Sequence, residues 1–167
     1  MKYSNNTIIV FLLAVIGLLG LLWFARPAPT ATSASGQGEK ASVFVATSTF
    51  YDFGTISMAN GKVSKEFGIT NSTKEDVTLV TLTTSCMCTS AYIENSGAER
   101  GPFGMPGMGF VPPANEVVRA GGAFTVKVVY DPAAHGPAGV GPIDRFVYLT
   151  DSNGGALRFE IKAIVTP

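Results

Sequence analysis

IDRFVYLTDSNGGALRFEIKAIV, residues 143–165, is two alternating runs joined by a turn. In the second run Leu157, Phe159, Ile161, Ala163 and Val165 fall on one side of an extended chain, and Arg158, Glu160 and Lys162 on the other. Side chains of a strand point alternately to its two faces, so this run is a strand with one buried and one wet face. Asp151-Ser152-Asn153-Gly154-Gly155 carries the residue types of a tight turn. The stretch therefore predicts a hairpin pairing 143–150 with 156–165. A sheet with one apolar face needs a second layer to cover it.

The same grammar recurs upstream. Val43 to Ala46 and Phe50 to Phe53 read as one broken first strand. Asn60-Gly61 marks a turn. Over 62–70, Val63, Phe67 and Ile69 face one way and Ser64, Glu66 and Thr70 the other. Residues 76–84 are β-branched and apolar enough for a strand buried on both faces. Ala91-Tyr92-Ile93 reads as a short edge strand, and Phe124, Val126, Val128 and Tyr130 again share a face. Residues 94–119 read as one long irregular loop and 131–142 as a glycine-rich one. No 3.6-residue amphipathic pattern follows Ala25. About seven short strands with frequent turns predict an all-β protein, an antiparallel β-sandwich.

The N-terminus follows different rules. Residues 8–25, IIVFLLAVIGLLGLLWFA, carry no charge. As a helix they span about 27 Å at ~1.5 Å per residue, close to a bilayer core of about 30 Å. A cleaved signal peptide has a shorter apolar region, so residues 1–26 are expected to be a membrane anchor, with a signal peptide as the alternative. Trp23 and Phe24 suit the membrane interface. Residues 27–41, PAPTATSASGQGEKA, are too small and polar to bury a core and read as a flexible linker. The domain is expected over 42–167, facing the periplasm or cell exterior.

Twelve basic and twelve acidic side chains balance, which removes the electrostatic case for nucleic acid. No nucleophile elbow, phosphate loop or paired-carboxylate motif is present, so no enzyme activity is expected. Asp131, Asp144 and Asp151 sit at turns and strand starts, where carboxylates are commonly structural. Asn71-Ser72-Thr73 matches a glycosylation acceptor but reads as an ordinary turn.

Phe53-Gly54-Thr55-Ile56, Phe67-Gly68-Ile69-Thr70-Asn71, Ser85-Cys86-Met87-Cys88-Thr89 and Val128-Val129-Tyr130-Asp131-Pro132 occur in that order. Together they resemble the bacterial domain of unknown function 1573, a family similar to the immunoglobulin-like domains of the ASPM, SPD-2 and Hydin group. The resemblance covers roughly 43–165 and implies an immunoglobulin-like sandwich. It departs at the cysteines, where the family's usual Cys-Gly-Cys has Met87 at its centre, and in the length of the Met-bearing insertion.

Chemistry concentrates where the sulfur is. Cys86 and Cys88 are the chain's two cysteines; in an extended strand both would point the same way, with Met87 opposite. An extended separation of about 6.6 Å between their Cα atoms is near the upper limit for a disulfide, so a bridge needs a local bend. Met105 and Met108 add two thioethers in the long loop, and His135 is the single histidine. In a sandwich with alternating connections, the end of the third strand and the loop after the fifth share a pole, which brings His135 towards the cysteines. Thiolate and thioether donors favour Cu(I), and imidazole suits it or zinc. Cys86 and Cys88, with Met105, Met108 and His135 as further ligands, are thus candidates for a soft-metal site. Two alternatives stand beside it: a disulfide or thiol–disulfide exchange pair, and cysteines that fill the core as small apolar groups. In the last case the chain is a non-catalytic, protein-binding module of the cell envelope.

Overall fold

The structure, a computed structural model, describes residues 40–167. The expected anchor lies outside the described residues, as does the expected linker except for Lys40 and Ala41. Those two residues already belong to the domain: the Ala156 N–H donates to the Lys40 carbonyl, and Ala41 bridges Ala156 in parallel. Among the described residues no helix is long and apolar enough to cross a membrane.

Among the described residues ten strands follow in order: β1 Phe44–Ala46, β2 Phe50–Ser57, β3 Val63–Asn71, β4 Val77–Thr84, β5 Thr89–Asn95, β6 Ala98–Phe103, β7 Glu116–Val118, β8 Ala123–Tyr130, β9 Gly141–Asp151 and β10 Ala156–Thr166. One sheet runs β1-β3-β8-β5-β6 and the other β2-β10-β9-β4-β7. The expected all-β architecture is present, with more strands than the seven read from the sequence.

The hairpin at 143–165 forms as expected, with Phe159 opposite Val147 and Ile161 opposite Arg145. Phe159, Ile161, Ala163 and Val165 are buried from β10, as are Phe67 and Ile69 from β3 and Phe124, Val126, Val128 and Tyr130 from β8. Phe67 from one sheet packs on Phe159 from the other, ring centroids 4.9 Å apart. Each such fully buried side chain contributes roughly 1.5–3 kcal/mol.

Four local readings change. The broken first strand is two strands in different sheets: β1 pairs antiparallel with β3, whereas β2 pairs parallel with β10. Splitting the N-terminal segment this way covers an edge of each sheet. Residues 77–84 bury one face only: the register shifts between Leu79 and Thr81, so burial moves from Val77 and Leu79 to Leu82 and Thr84. A bulge that changes phase turns an alternating strand into an apparently continuous apolar run.

The stretch 94–119 is not one irregular loop. β5 is a central strand between β8 and β6, and Ser96 and Gly97, both with positive φ, make the two-residue turn into β6. β6 reads AERGPF and is exposed except for Phe103; charges and Pro are tolerated on an edge strand, which is why its sequence resembles a loop. Finally, the cysteines lie in the turn between β4 and β5 rather than on a strand.

Asn71 closes one end of the molecule. Its buried side-chain amide donates to the Glu75, Val118 and Arg119 carbonyls and its oxygen accepts from the Thr73 N–H. It ties β3 of one sheet to β7 of the other, and its nitrogen has no access for a glycan.

Candidate functional site

β4 delivers the chain to the opposite end. Ser85 makes one backbone and one side-chain hydrogen bond to β9: its N–H donates to the Phe146 carbonyl, and its hydroxyl oxygen accepts from the Phe146 N–H, both at 2.9 Å. The chain then turns, with the Thr89 N–H donating to the Cys86 carbonyl at 3.1 Å. The buried Thr84 hydroxyl lies 3.0 Å from both the Cys86 and Thr89 carbonyls and closes the turn from beneath. The Asp131 N–H, just past β8, donates to the Cys88 carbonyl at 2.8 Å. The turn is thus held by β8, β9 and its own flanking residues.

This bend brings the cysteine Cα atoms to 5.3 Å, and the two sulfurs are joined as a disulfide. The extended geometry expected from alternation is replaced by a turn, which supplies the bend that a bridge over two residues needs. Met87 sits at the turn's apex with half its surface exposed, Cys86 is partly buried, and Cys88 is buried.

The two sulfurs have different surroundings. Cys86 Sγ lies 3.3 Å from His135 Nε2 and also accepts from the Cys88 N–H at 3.3 Å. Cys88 Sγ accepts from Arg145 Nε at 3.3 Å. His135 is carried by the loop after β8, where Asp131 acts as a turn residue: its carboxylate accepts from the Ala133 N–H and its carbonyl from the Ala134 N–H. Asp131 is structural, as expected, and what it builds is the platform for His135.

The structure therefore brings Cys86, Cys88 and His135 together, with their donor atoms all within 4.8 Å of one another. Met105 and Met108 line a surface groove with Met87, the residue between the two cysteines. The sequence reading missed Arg145. Its signal was present: Ile143, Val147 and Leu149 all face the core, and Arg145 holds the same register beside the buried Ile161. A charge at an inward position near a strand end is a group with a specific partner.

Two five-stranded sheets, with the cysteine turn at one rim, define an all-β, immunoglobulin-like sandwich. Residues 44–104 match the model of a bacterial family described as "Protein of unknown function (DUF1573)", which bears out the resemblance carried by the sequence. No curated protein matches. Among solved structures, a protein of unknown function from Porphyromonas gingivalis W83 superposes with a TM-score of 0.54 at 15% identity, over 80% of this chain and 51% of that one. This chain thus spans about half the length of that relative. A family 123 glycoside hydrolase from Clostridium perfringens gives 0.52 at 8% identity, over 71% and 23% of the two chains. The ASH/PapD-like domain of human CEP192 gives 0.47 at 14% identity, over 84% and 98%. At such identities the likeness is one of fold.

Proposed function

We propose that Cys86 and Cys88 form a reversible dithiol–disulfide centre, carried on an exported β-sandwich that residues 8–25 tether to the membrane, and that it exchanges with the thiols of a protein partner. The observation that carries this reading is the asymmetry of the two sulfurs: Cys86 is the more accessible and touches an imidazole, while Cys88 is buried against a guanidinium. Thiol–disulfide exchange needs one sulfur open to attack and a leaving thiolate that is stabilised.

The partner's first thiolate attacks Cys86 Sγ. The Cys86–Cys88 bond breaks, and its electron pair leaves on Cys88 Sγ, beside the Arg145 cation. The partner's second thiolate then attacks its own sulfur in the mixed disulfide and releases Cys86 as a thiolate. The partner ends with a disulfide, and its two electrons and two thiol protons reside on Cys86 and Cys88. His135 is placed to exchange the proton of Cys86. Run in reverse, the same steps oxidise this chain. The chemistry is exchange with another protein and requires no small-molecule substrate pocket.

The test is sulfur-specific. After reduction of the full chain, Cys86 should alkylate at least about tenfold faster than Cys88. Cys88→Ser should trap a mixed disulfide with a model peptide that itself carries a disulfide, whose second sulfur leaves as thiolate, and Cys86→Ser should not. Equal alkylation rates, or trapping by both variants alike, would overturn the assignment.

A second reading rests on the donor set within 4.8 Å. In the reduced chain, Cys86, Cys88 and His135 are two thiolates and an imidazole, a set suited to Cu(I) or zinc. Titration of the reduced chain with Cu(I) against a competing chelator tests this. Equal affinity in the Cys86→Ser/Cys88→Ser double variant would reject it.

A further inference from the structure

Met87, Met105 and Met108 account for three of the chain's five methionines, and all three line one surface groove of about 280 Å³. Two β-turns bring them there. Met105-Pro106-Gly107-Met108 closes through the Met108 N–H on the Met105 carbonyl at 3.3 Å, and Gly107 has φ of 85°. Pro followed by a glycine of positive φ is the signature of a type II turn, whose first and fourth residues stand within about 7 Å. Met105 and Met108 occupy those two positions.

The second turn is Cys86 to Thr89, with Met87 at its apex. The two are pinned to each other: the Thr84 N–H, at the base of the cysteine turn, donates to the Gly104 carbonyl, at the base of the methionine turn, at 3.1 Å. Met87 and Met108 are 52% and 59% exposed, although apolar side chains of this size are normally covered. Ser90, Pro102, Phe110 and Val111 also line the groove, and none of its lining residues carries a carboxylate. Neutral thioethers without a hard anionic donor discriminate against Mg²⁺, Ca²⁺ and zinc and select soft d¹⁰ ions.

We propose that Met87, Met105 and Met108 form a thioether site for a soft monovalent ion, Cu(I) in the cell. The site is separate from the thiol centre and is open while Cys86 and Cys88 are joined. Reduction of the disulfide is not required, because thioethers bind without losing a proton. This inference does not depend on the exchange chemistry proposed for the cysteines.

The probes are Ag(I), which leaves the disulfide intact, and Cu(I) in the Cys86→Ser/Cys88→Ser variant, where no thiol competes. The full chain carries ¹³C-methyl methionine, and each titration is repeated with Met105→Leu/Met108→Leu, a change that keeps apolar volume. The expected result is one equivalent bound, with the methyl resonances of Met87, Met105 and Met108 shifting and those of Met1 and Met58 staying in place. Affinity should fall at least about tenfold in the leucine variant. No shift in the disulfide-bonded chain, or equal affinity in the leucine variant, would overturn the site and leave the methionines as apolar lining.

Discussion

The two ends of the sandwich treat polar chemistry in opposite ways. At the end where β9 turns into β10, Asp151 is almost wholly buried and every bond it can make is made. Its carboxylate accepts from the Ser42 hydroxyl, the Val43 N–H, the Asn153 N–H and the Gly155 N–H, at 2.7 to 3.0 Å. Six residues along β9, Arg145 stands at the other end beside a sulfur, in company with a half-open cysteine and an exposed imidazole. Saturation and burial mark Asp151 as architecture. Partial exposure and spare bonding capacity set the sulfur rim apart from it, as the proposed exchange chemistry requires.

The largest effect is expected at the saturated end. Asp151→Ala leaves one buried and three part-buried donors unpaired and should cost roughly 3 kcal/mol in chemical denaturation, with the alkylation rate of reduced Cys86 unchanged. A loss of thiol asymmetry in this variant would show that the two ends are one unit. The same residue sets an acid dependence. Burial works to raise its pKa, but the Ser42 hydroxyl and the three backbone N–H groups outweigh it, so the carboxyl sits below its ordinary value. A depressed pKa contributes stability that is present above the unfolded value of about 3.9 and is lost as pH falls through the folded one. Unfolding midpoints should therefore drop as pH is lowered beneath about 4, and Asp151→Asn should flatten that slope.

At the sulfur end the effects are chemical and smaller in energy. Arg145→Met removes the cation beside the leaving sulfur and should slow reduction of the disulfide by dithiothreitol about tenfold, equivalent to ~1.4 kcal/mol in the barrier. An unchanged rate would reduce Arg145 to a packing role. Thr84→Val removes the hydroxyl that closes the turn and should lower stability by about 1 kcal/mol, measured by thermal unfolding in the disulfide-bonded state. Smallest of all, Phe110→Ser, at a side chain 89% exposed, should change stability by less than about 0.5 kcal/mol. A larger loss there would mean that the methionine groove is covered by something in the folded protein.

Legibility followed periodicity. β3, β8 and β10 alternate cleanly because each has one wet face, and their inward residues are legible in the sequence. β6 was not, because an edge strand made of AERGPF is chosen for what it prevents rather than for what it buries. β4 was misread as buried on both faces because its bulge changes phase midway. The meeting of Cys86, Cys88 and His135 was legible from topology alone, since a strand end and a loop two strands later share a pole. The contact of Arg145 with Cys88 and the groove shared by Met87, Met105 and Met108 were not, because both depend on how the turns beside the strands close.

The sequence by itself determined the all-β class, the apolar N-terminal run, the core faces of the long strands and the place where sulfur would gather. These follow from local pattern, because alternation and apolar run length are properties of consecutive residues. Only the tertiary structure decided that the first strand divides between two sheets, that the cysteines sit in a turn and bridge, and that a guanidinium from β9 meets one sulfur and an imidazole the other. Those outcomes depend on hydrogen bonds between residues far apart in the chain, such as Ser85 with Phe146 and Cys88 with Asp131, and no local pattern records them.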